Sequence, residues 1–451
     1  MEKIEQQAAK KLMCTLVFTL ILSVMSATMF NIVLPEIASD FQLSKAQVSW
    51  VSSSYMLIYG IGTVIYGKLS DFINLKKLLA FGLSIFVLGS ITGLLSQAYW
   101  MVLFGRILQA MGAAVIPAIA MIIPVRFFPP EKRGQALGMS ASGLALGNAL
   151  GPIVSAFIVS VVHWRWLFCL PILLLLTLPF YFKYLDDHKG NRSKFDWIGG
   201  CLLAGMITML LLSVTNGSWT LFTGGLVVFI LFVLRIHYAD EPFVSVSLFQ
   251  NKRFSIGLFI AFLVSAFGFS IPFLSPLLLA DVNHLNPGWI GLVIVPGAIV
   301  TALMGRIGGK LADKKGNNYL FITAWILLAI NFSLMSSFAG ISPVWIAVFL
   351  VFGSVGQSFM LIVMSNSISR TLSKKQIGVG MGIFQMLNFI AGSVAGAVYG
   401  KTIDIGAIAN FNPINVYPEA AIYSNIYLAL TVLLGFVALI YYFNLSKEKK
   451  L

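Results

Sequence analysis

Between two long apolar runs the chain reads Gly67-Lys68-Leu69-Ser70-Asp71-Phe72-Ile73-Asn74-Leu75-Lys76-Lys77. The pattern returns as Gly309-Lys310-Leu311-Ala312-Asp313-Lys314-Lys315-Gly316, again where an apolar run ends. A glycine at a helix end lets backbones approach closely, and a carboxylate there can cap the next helix or pair with a basic side chain. One copy would be an ordinary charged turn. Two copies at equivalent places indicate a duplicated chain, a usual transporter construction. Asp71 is expected to pair with Arg126 and to latch the ends of the second, fourth and eleventh runs in one state.

Working outward, the chain has 451 residues, of which 58% are hydrophobic and only 10% charged. Soluble domains carry about 25% charged residues. No water-soluble interior could hide this much apolar surface, so the solvent of the chain is lipid. A spanning helix needs about 20 apolar residues. Such runs occur near 12–35, 47–67, 77–97, 99–124, 134–160, 165–184, 196–214, 218–236, 254–280, 288–308, 318–338, 342–366, 377–400 and 421–443. The expected fold is an all-α membrane protein: a six-helix bundle over 1–190, two inserted helices over 191–250, and a second six-helix bundle over 251–451.

The net charge is +14. The basic residues cluster in alternate short gaps between the runs, so they read as membrane topology and not as a nucleic-acid footprint. Their distribution places both termini in the cytoplasm. The first run is long for a signal-peptide core and reads as an uncleaved spanning helix. Cys14, Cys169 and Cys201 all fall in apolar runs without metal-ligand spacing, so neither a metal nor a disulfide is expected.

Two runs carry unusual groups. Arg106-Ile-Leu-Gln109-Ala-Met-Gly112-Ala113-Ala114 puts a charge inside the fourth run, where insertion costs at least about 2.5–3.5 kcal/mol, so Arg106 should face the protein interior. It is either a hydrogen-bonded structural arginine or a fixed charge that tunes an acid or a substrate contact. The fifth run has Gly143, Gly147 and Gly151 at spacing four, a seam for tight packing, and Pro152, which can kink it.

Taken together these stretches resemble the major facilitator superfamily, and more closely its 14-helix drug/proton antiporter branch. The matching residues are Asn31-Ile-Val-Leu-Pro35, Gly67 to Lys77, Arg106 to Ala114, Gly147-Asn-Ala-Leu-Gly151-Pro152, Trp164-Arg165-Trp166-Leu167-Phe168, Phe195-Asp196-Trp197 and Gly309 to Gly316. The resemblance implies export, since the Gly-Pro signature in the fifth helix is similar to the one that marks antiporters. It also implies a bacterial plasma membrane. There are departures. Where the branch often carries an acid in helix 1, this chain has Ser26-Ala27-Thr28. In helix 13 it has Gln385, Asn388 and a small-residue run from Gly392 to Gly396. Helix 5 has Ser155-Ala156 in place of paired glycines.

Uphill export needs energy. The chain has no Gly-x-x-x-x-Gly-Lys-Ser/Thr loop, so no ATP and no cofactor are expected, and a proton gradient is left. No acid lies at mid-membrane. Glu36 ranks first as proton carrier, followed by Asp40, Asp281 and Asp404, with Arg106 as a charge that would lower a neighbouring carboxyl. Candidate cavity residues are Met25, Met29, Asn31, Tyr55, Gln109, Asn148, Phe267, Phe269, Gln357, Gln385 and Asn388, a mixture of soft, aromatic and amide surfaces suited to amphipathic molecules. The expected activity is multidrug/proton antiport by a monomer. A tetracycline-restricted exporter is the alternative, followed by a lipid scramblase or membrane sensor. No nucleophile or metal cluster points to an enzyme.

Overall fold

The computed structural model describes residues 2–70, 73–117, 119–120, 123, 130–185, 196–239, 242–244, 246–372, 377–407 and 409–444. Among them every regular element is helical. Thirteen helices are long and apolar enough to cross a membrane. A fourteenth, Pro130–Val161, has a shorter apolar stretch, Leu146–Val161, because it opens on Glu131, Lys132 and Arg133. In chain order α1 to α14 are Lys11–Asn31, Lys45–Gly67, Leu75–Leu94, Tyr99–Pro117, Pro130–Val161, Trp164–Tyr184, Trp197–Asn216, Trp219–Tyr238, Lys252–Asp281, Pro287–Gly305, Asn317–Ser337, Pro343–Ser369, Val379–Ile405 and Pro418–Asn444. They fall on the fourteen runs that the sequence predicts.

Local chemistry sets several ends. Asn74 accepts from the Lys76 N–H at the start of α3, and Asn286 accepts from Trp289 N–H ahead of α10, with Pro287 at the first helical position. Both satisfy amides that a helix leaves open. α9 is broken at Phe269. The cause lies just beyond: Pro272 has no N–H to return to the carbonyl four residues earlier.

Packing repeats itself between the halves. α1 lies on α5 and α6, α2 on α4, and α3 on α4 and α6. In the second half α9 lies on α13 and α14, α10 on α12, and α11 on α12 and α14. The halves meet along two seams related by the same exchange, α2 with α13 and α5 with α10. The inserted pair α7 and α8 packs mainly on itself. α7 also touches α2 and α13, where Trp50 Nε1 donates to Thr215 Oγ1 at 3.0 Å. α8 turns most of its surface outward, including Leu226, Phe229 and Ile230. In a bilayer that surface faces acyl chains, the solvent its composition requires.

Close approach of α3 and α4 depends on missing side chains. A Cβ on Gly112 would stand 2.3 Å from the Gly82 carbonyl oxygen and 2.4 Å from the Phe86 nitrogen. Both are backbone atoms, so no rotamer can yield. The Gly147 and Gly151 seam of α5 meets α1 in the same way, a Cβ on Gly151 falling 2.0 Å from Thr28 Oγ1. α5 runs unbroken through Pro152.

Gly112→Val therefore forces the two helices apart and costs at least about 1–3 kcal/mol by overpacking. Gly435→Val, which meets nothing within 4 Å, serves as the control. Thermal unfolding of detergent-solubilised protein followed by size-exclusion chromatography should show a lower midpoint for the first variant alone.

Candidate functional site

Arg106 is fully buried. Its Nη1 donates to the Ser26 carbonyl (3.1 Å) and to Gln109 Oε1 (3.0 Å), and its Nε donates to the Val51 carbonyl (3.2 Å). Gln109 Nε2 passes the chain on to Ser90 Oγ at 2.8 Å. The guanidinium lies between the rings of Phe30 and Tyr55, 4.3 and 4.0 Å from their centroids. One cation so ties α4 to α1, α2 and α3. Its partners are carbonyls, an amide and two π faces, a set that suits the flat, weakly hydrated guanidinium.

Call the end of the bundle where α1 begins and α2 finishes the basic end. At the opposite end the halves are clasped. Lys45, the first residue of α2, places Nζ 2.7 Å from Asp281 Oδ1 at the end of α9. Asp281 Oδ2 accepts from the Tyr423 hydroxyl of α14 at 2.6 Å. Asp404, at the end of α13, accepts from the backbone N–H groups of Lys45 (2.7 Å) and Ala46 (2.8 Å). Ser44 Oγ accepts from Gln47 N–H, and Gln47 Oε1 from Ser44 N–H. The helix has its own capping box, and the other half supplies the remaining acceptor. Asp40 is tied within its half: Trp164 Nε1 donates to it at 2.8 Å, with His163 Nε2 at 3.1 Å and Arg165 Nη1 at 3.7 Å.

Away from the clasp the halves part. On α5, Ser155 and Asn148 are two turns apart on one stripe. Ser155 is sealed, donating to the Met29 carbonyl at 2.8 Å, whereas Asn148 is exposed. The corresponding stripe of α13 behaves alike. A Cβ on Gly392 would meet Met56 of α2 and Phe269 of α9. Seven residues toward the basic end, Gln385 is exposed. Asn388, between them, accepts from Ser265 Oγ of α9 at 2.7 Å and donates to Gln385 Oε1 at 3.2 Å. Amides exposed inside the spans, toward the basic end and on faces that point between the halves, line water and not lipid. Sealed nearer the clasp and exposed nearer the basic end, these faces fit a cavity that widens toward the basic end.

The remaining candidates divide by place. Gln357 is half-buried on α12, its side chain resting on Gly268, and its Oε1 is buried without a partner. Phe269 closes the cavity on the clasped side through its contacts with Gly392 and Gly396. Met25, Met29, Asn31, Tyr55, Gln109 and Phe267 are enclosed by protein. Asn31 Oδ1 accepts from Ser52 Oγ at 2.6 Å, and Tyr55 and Gln109 serve Arg106. Asp71 and Arg126, the expected latch, lie outside the described residues, as do the side chains of Lys68 and Asp313. Gly67 and Gly309 have open space where a Cβ would stand, and Lys310 is exposed.

Glu36 stands apart from the other acids. It sits in a short helix, Leu34–Asp40, beyond the end of α1 and packed on the second part of α9 across the halves. Its Oε2 is buried with no partner. Burial, and then the Asp40 carboxylate, push its carboxyl up to about 7. The charge that acts on it is Asp40, where the sequence led us to expect Arg106. A second carboxylate that sequence motifs single out, Asp196, accepts from Gly199 N–H, Phe243 N–H and Arg235 Nε. Its partial burial alone would raise the carboxyl, but these hydrogen bonds and the Arg235 charge hold it below the usual range. It fastens α7 to the segment that leads into α9. Ser265 and Lys45 were not among the candidates, because their partners lie on distant helices and a single Ser or Lys carries no motif.

Residues 16–396 match the family model described as Major Facilitator Superfamily. The riboflavin transporter RibZ of Clostridioides difficile is 28% identical, over 72% of this chain and 73% of that protein. Multidrug resistance protein 3 of Bacillus subtilis is 28% identical over 79% and 72%. The lincomycin resistance protein LmrB of Listeria monocytogenes is 26% identical over 83% and 82%. Among solved structures, a POT family transporter in complex with a thioalcohol-conjugated peptide gives a TM-score of 0.71 at 15% identity, covering 98% of this chain and 97% of that one. A bacterial homolog of the lysosomal transporter Spinster, inward-facing and occupied, gives 0.66 at 14% identity, covering 96% of each. These likenesses speak to the fold.

The Glu36 carboxyl generates a signed prediction. Its ordinary value is 4.5 and its folded value about 7. Between these the native state holds a proton that the unfolded chain has lost, so stability falls as pH rises through this window. Differential scanning fluorimetry from pH ~4 to ~8 should show a steeper decline for the wild type than for Glu36→Gln. Parallel profiles would remove Glu36 from the account.

Proposed function

The chain belongs to the major facilitator superfamily and is a multi-pass membrane transporter, not an enzyme, and from that premise we propose that it exports amphipathic small molecules across the plasma membrane in exchange for protons. The carrying observation is the one-sided cavity. The same faces of α5 and α13 are sealed at Ser155 and Gly392 and open at Asn148 and Gln385. A site reachable from one end, between repeated halves that pack by the same contacts, is what alternating access requires of one of its two states.

Export is supported by two relatives that bear resistance names and by the Gly151-Pro152 signature of α5. With both termini in the cytoplasm, the basic end and the cavity mouth are cytoplasmic, so substrate loads from inside. Glu36 is the proton carrier. Asp40, Asp281 and Asp404 are each held by basic or N–H partners at the clasped end, whereas Glu36 has an unpaired buried oxygen and sits where the halves meet. Opening that end would wet the carboxyl and release its proton-holding environment, so that occupancy follows the side of access. The chain works as a monomer.

The test is substrate-induced proton movement in proteoliposomes, with norfloxacin, lincomycin and tetracycline as substrates and Glu36→Gln alongside. At least two compounds should move protons, and the variant should bind them without doing so. Movement with tetracycline alone would make the protein a narrow exporter. No proton movement in a preparation that binds these compounds would overturn proton coupling.

A further inference from the structure

The wall of the cavity offers amides and withholds charge. At mid-depth the α9 turn Ser265–Phe269 receives side chains from two other helices. On one side Asn388 takes the Ser265 hydroxyl and gives its own N–H to Gln385 Oε1. That pairing uses Gln385 Oε1 and leaves the Nε2 hydrogens of this exposed side chain open to a ligand. On the other side Gln357 lies so close to Gly268 that a Cβ there would fall 1.9 Å from its Cδ. Its Oε1 is buried and unpartnered. A buried carbonyl without a donor is unfavourable, and its retention points to a group that arrives later.

One free donor and one unpaired acceptor, flanking a single turn, complement an edge that carries C=O and N–H side by side. Lactams, imides and primary carboxamides present that edge. Phe269 supplies an apolar surface at the closed side of the same turn.

Charge selects against the alternatives. Among the described residues, Arg106 is the one charged side chain at mid-depth in the fourteen spans. It is fully buried beneath Phe30 and Tyr55, so it offers nothing to an anion in the cavity. An organic cation meets no carboxylate there and gives up hydration without return. A neutral molecule avoids that cost.

We propose that the cavity recognises neutral, ring-bearing amphipaths through a lactam or imide edge read by Gln385 and Gln357, in preference to organic cations. This rests on the efflux reading above and names its substrate class.

Three compounds of one ring shape test it: phenanthridinone, a neutral lactam; N-methylphenanthridinone, with the donor blocked; and N-methylphenanthridinium, a cation. Binding to purified wild-type protein is read by ligand fluorescence. The lactam should bind about tenfold more tightly than its N-methyl form, the cost of one hydrogen bond left unmade. The cation should bind more weakly than the lactam. Gln357→Leu, which removes the acceptor of the lactam N–H, should erase the gap between lactam and N-methyl lactam, whereas Gln385→Leu, at an exposed position, should weaken both alike and keep the gap. Equal binding of those two by the wild type, or tighter binding of the cation, overturns the proposal and leaves efflux standing. No binding of the three or of norfloxacin, lincomycin and tetracycline overturns both.

Discussion

Lipid gives a protein no hydrogen bonds, and a guanidinium at mid-membrane must therefore be dissolved in the protein itself. Arg106 shows how this is done. Two carbonyls, one amide and two aromatic faces replace its hydration. Those partners come from α1, α2 and the arginine's own helix, and Gln109 extends the chain to Ser90 on α3. The glycine contacts between α3 and α4 bring these groups within reach. The first bundle is organised around this charge, of which Nη2 alone is buried without a hydrogen-bond partner.

The contacts between the bundles are of another kind. At the clasped end they include polar ones near water: a lysine paired with Asp281, and a helix start whose first two N–H groups are served by Asp404 of the opposite half. Such groups lose little when water replaces their partners. Deeper in, the seams are small-residue contacts such as Gly291 on Ala156 and Gly396 on Ser53. Polar contacts between the bundles that water can replace are a physical basis for two states of similar energy.

Much of this was legible in the sequence. Runs of about 20 apolar residues mark spanning helices because lipid permits little else. The two Gly-Lys-Leu-x-Asp turns announced the duplication that the repeated helix contacts display. Arg106, Asn148, Gln385 and Asn388 stood out as polar groups in apolar runs. Partnerships did not stand out. Asp404 caps a helix 359 positions away, and Arg106 is held by backbone carbonyls, which every residue has. Nor did exposure: Gln109 and Gln385 are both glutamines in apolar helices, yet one is fully buried and the other faces the cavity. That difference comes from where the halves diverge.

Alternating access requires the two ends to exchange opening. Electron spin–spin distances in lipid nanodiscs measure it, with the three native cysteines replaced. One label pair would sit at Gln42 and Ala407 beside the clasp, the other at Ile73 and Lys314 at the basic end. Lys45→Ala should lengthen the first distance and shorten the second in the same sample. Distances that stay unchanged at both ends, or that lengthen together, would contradict alternating access.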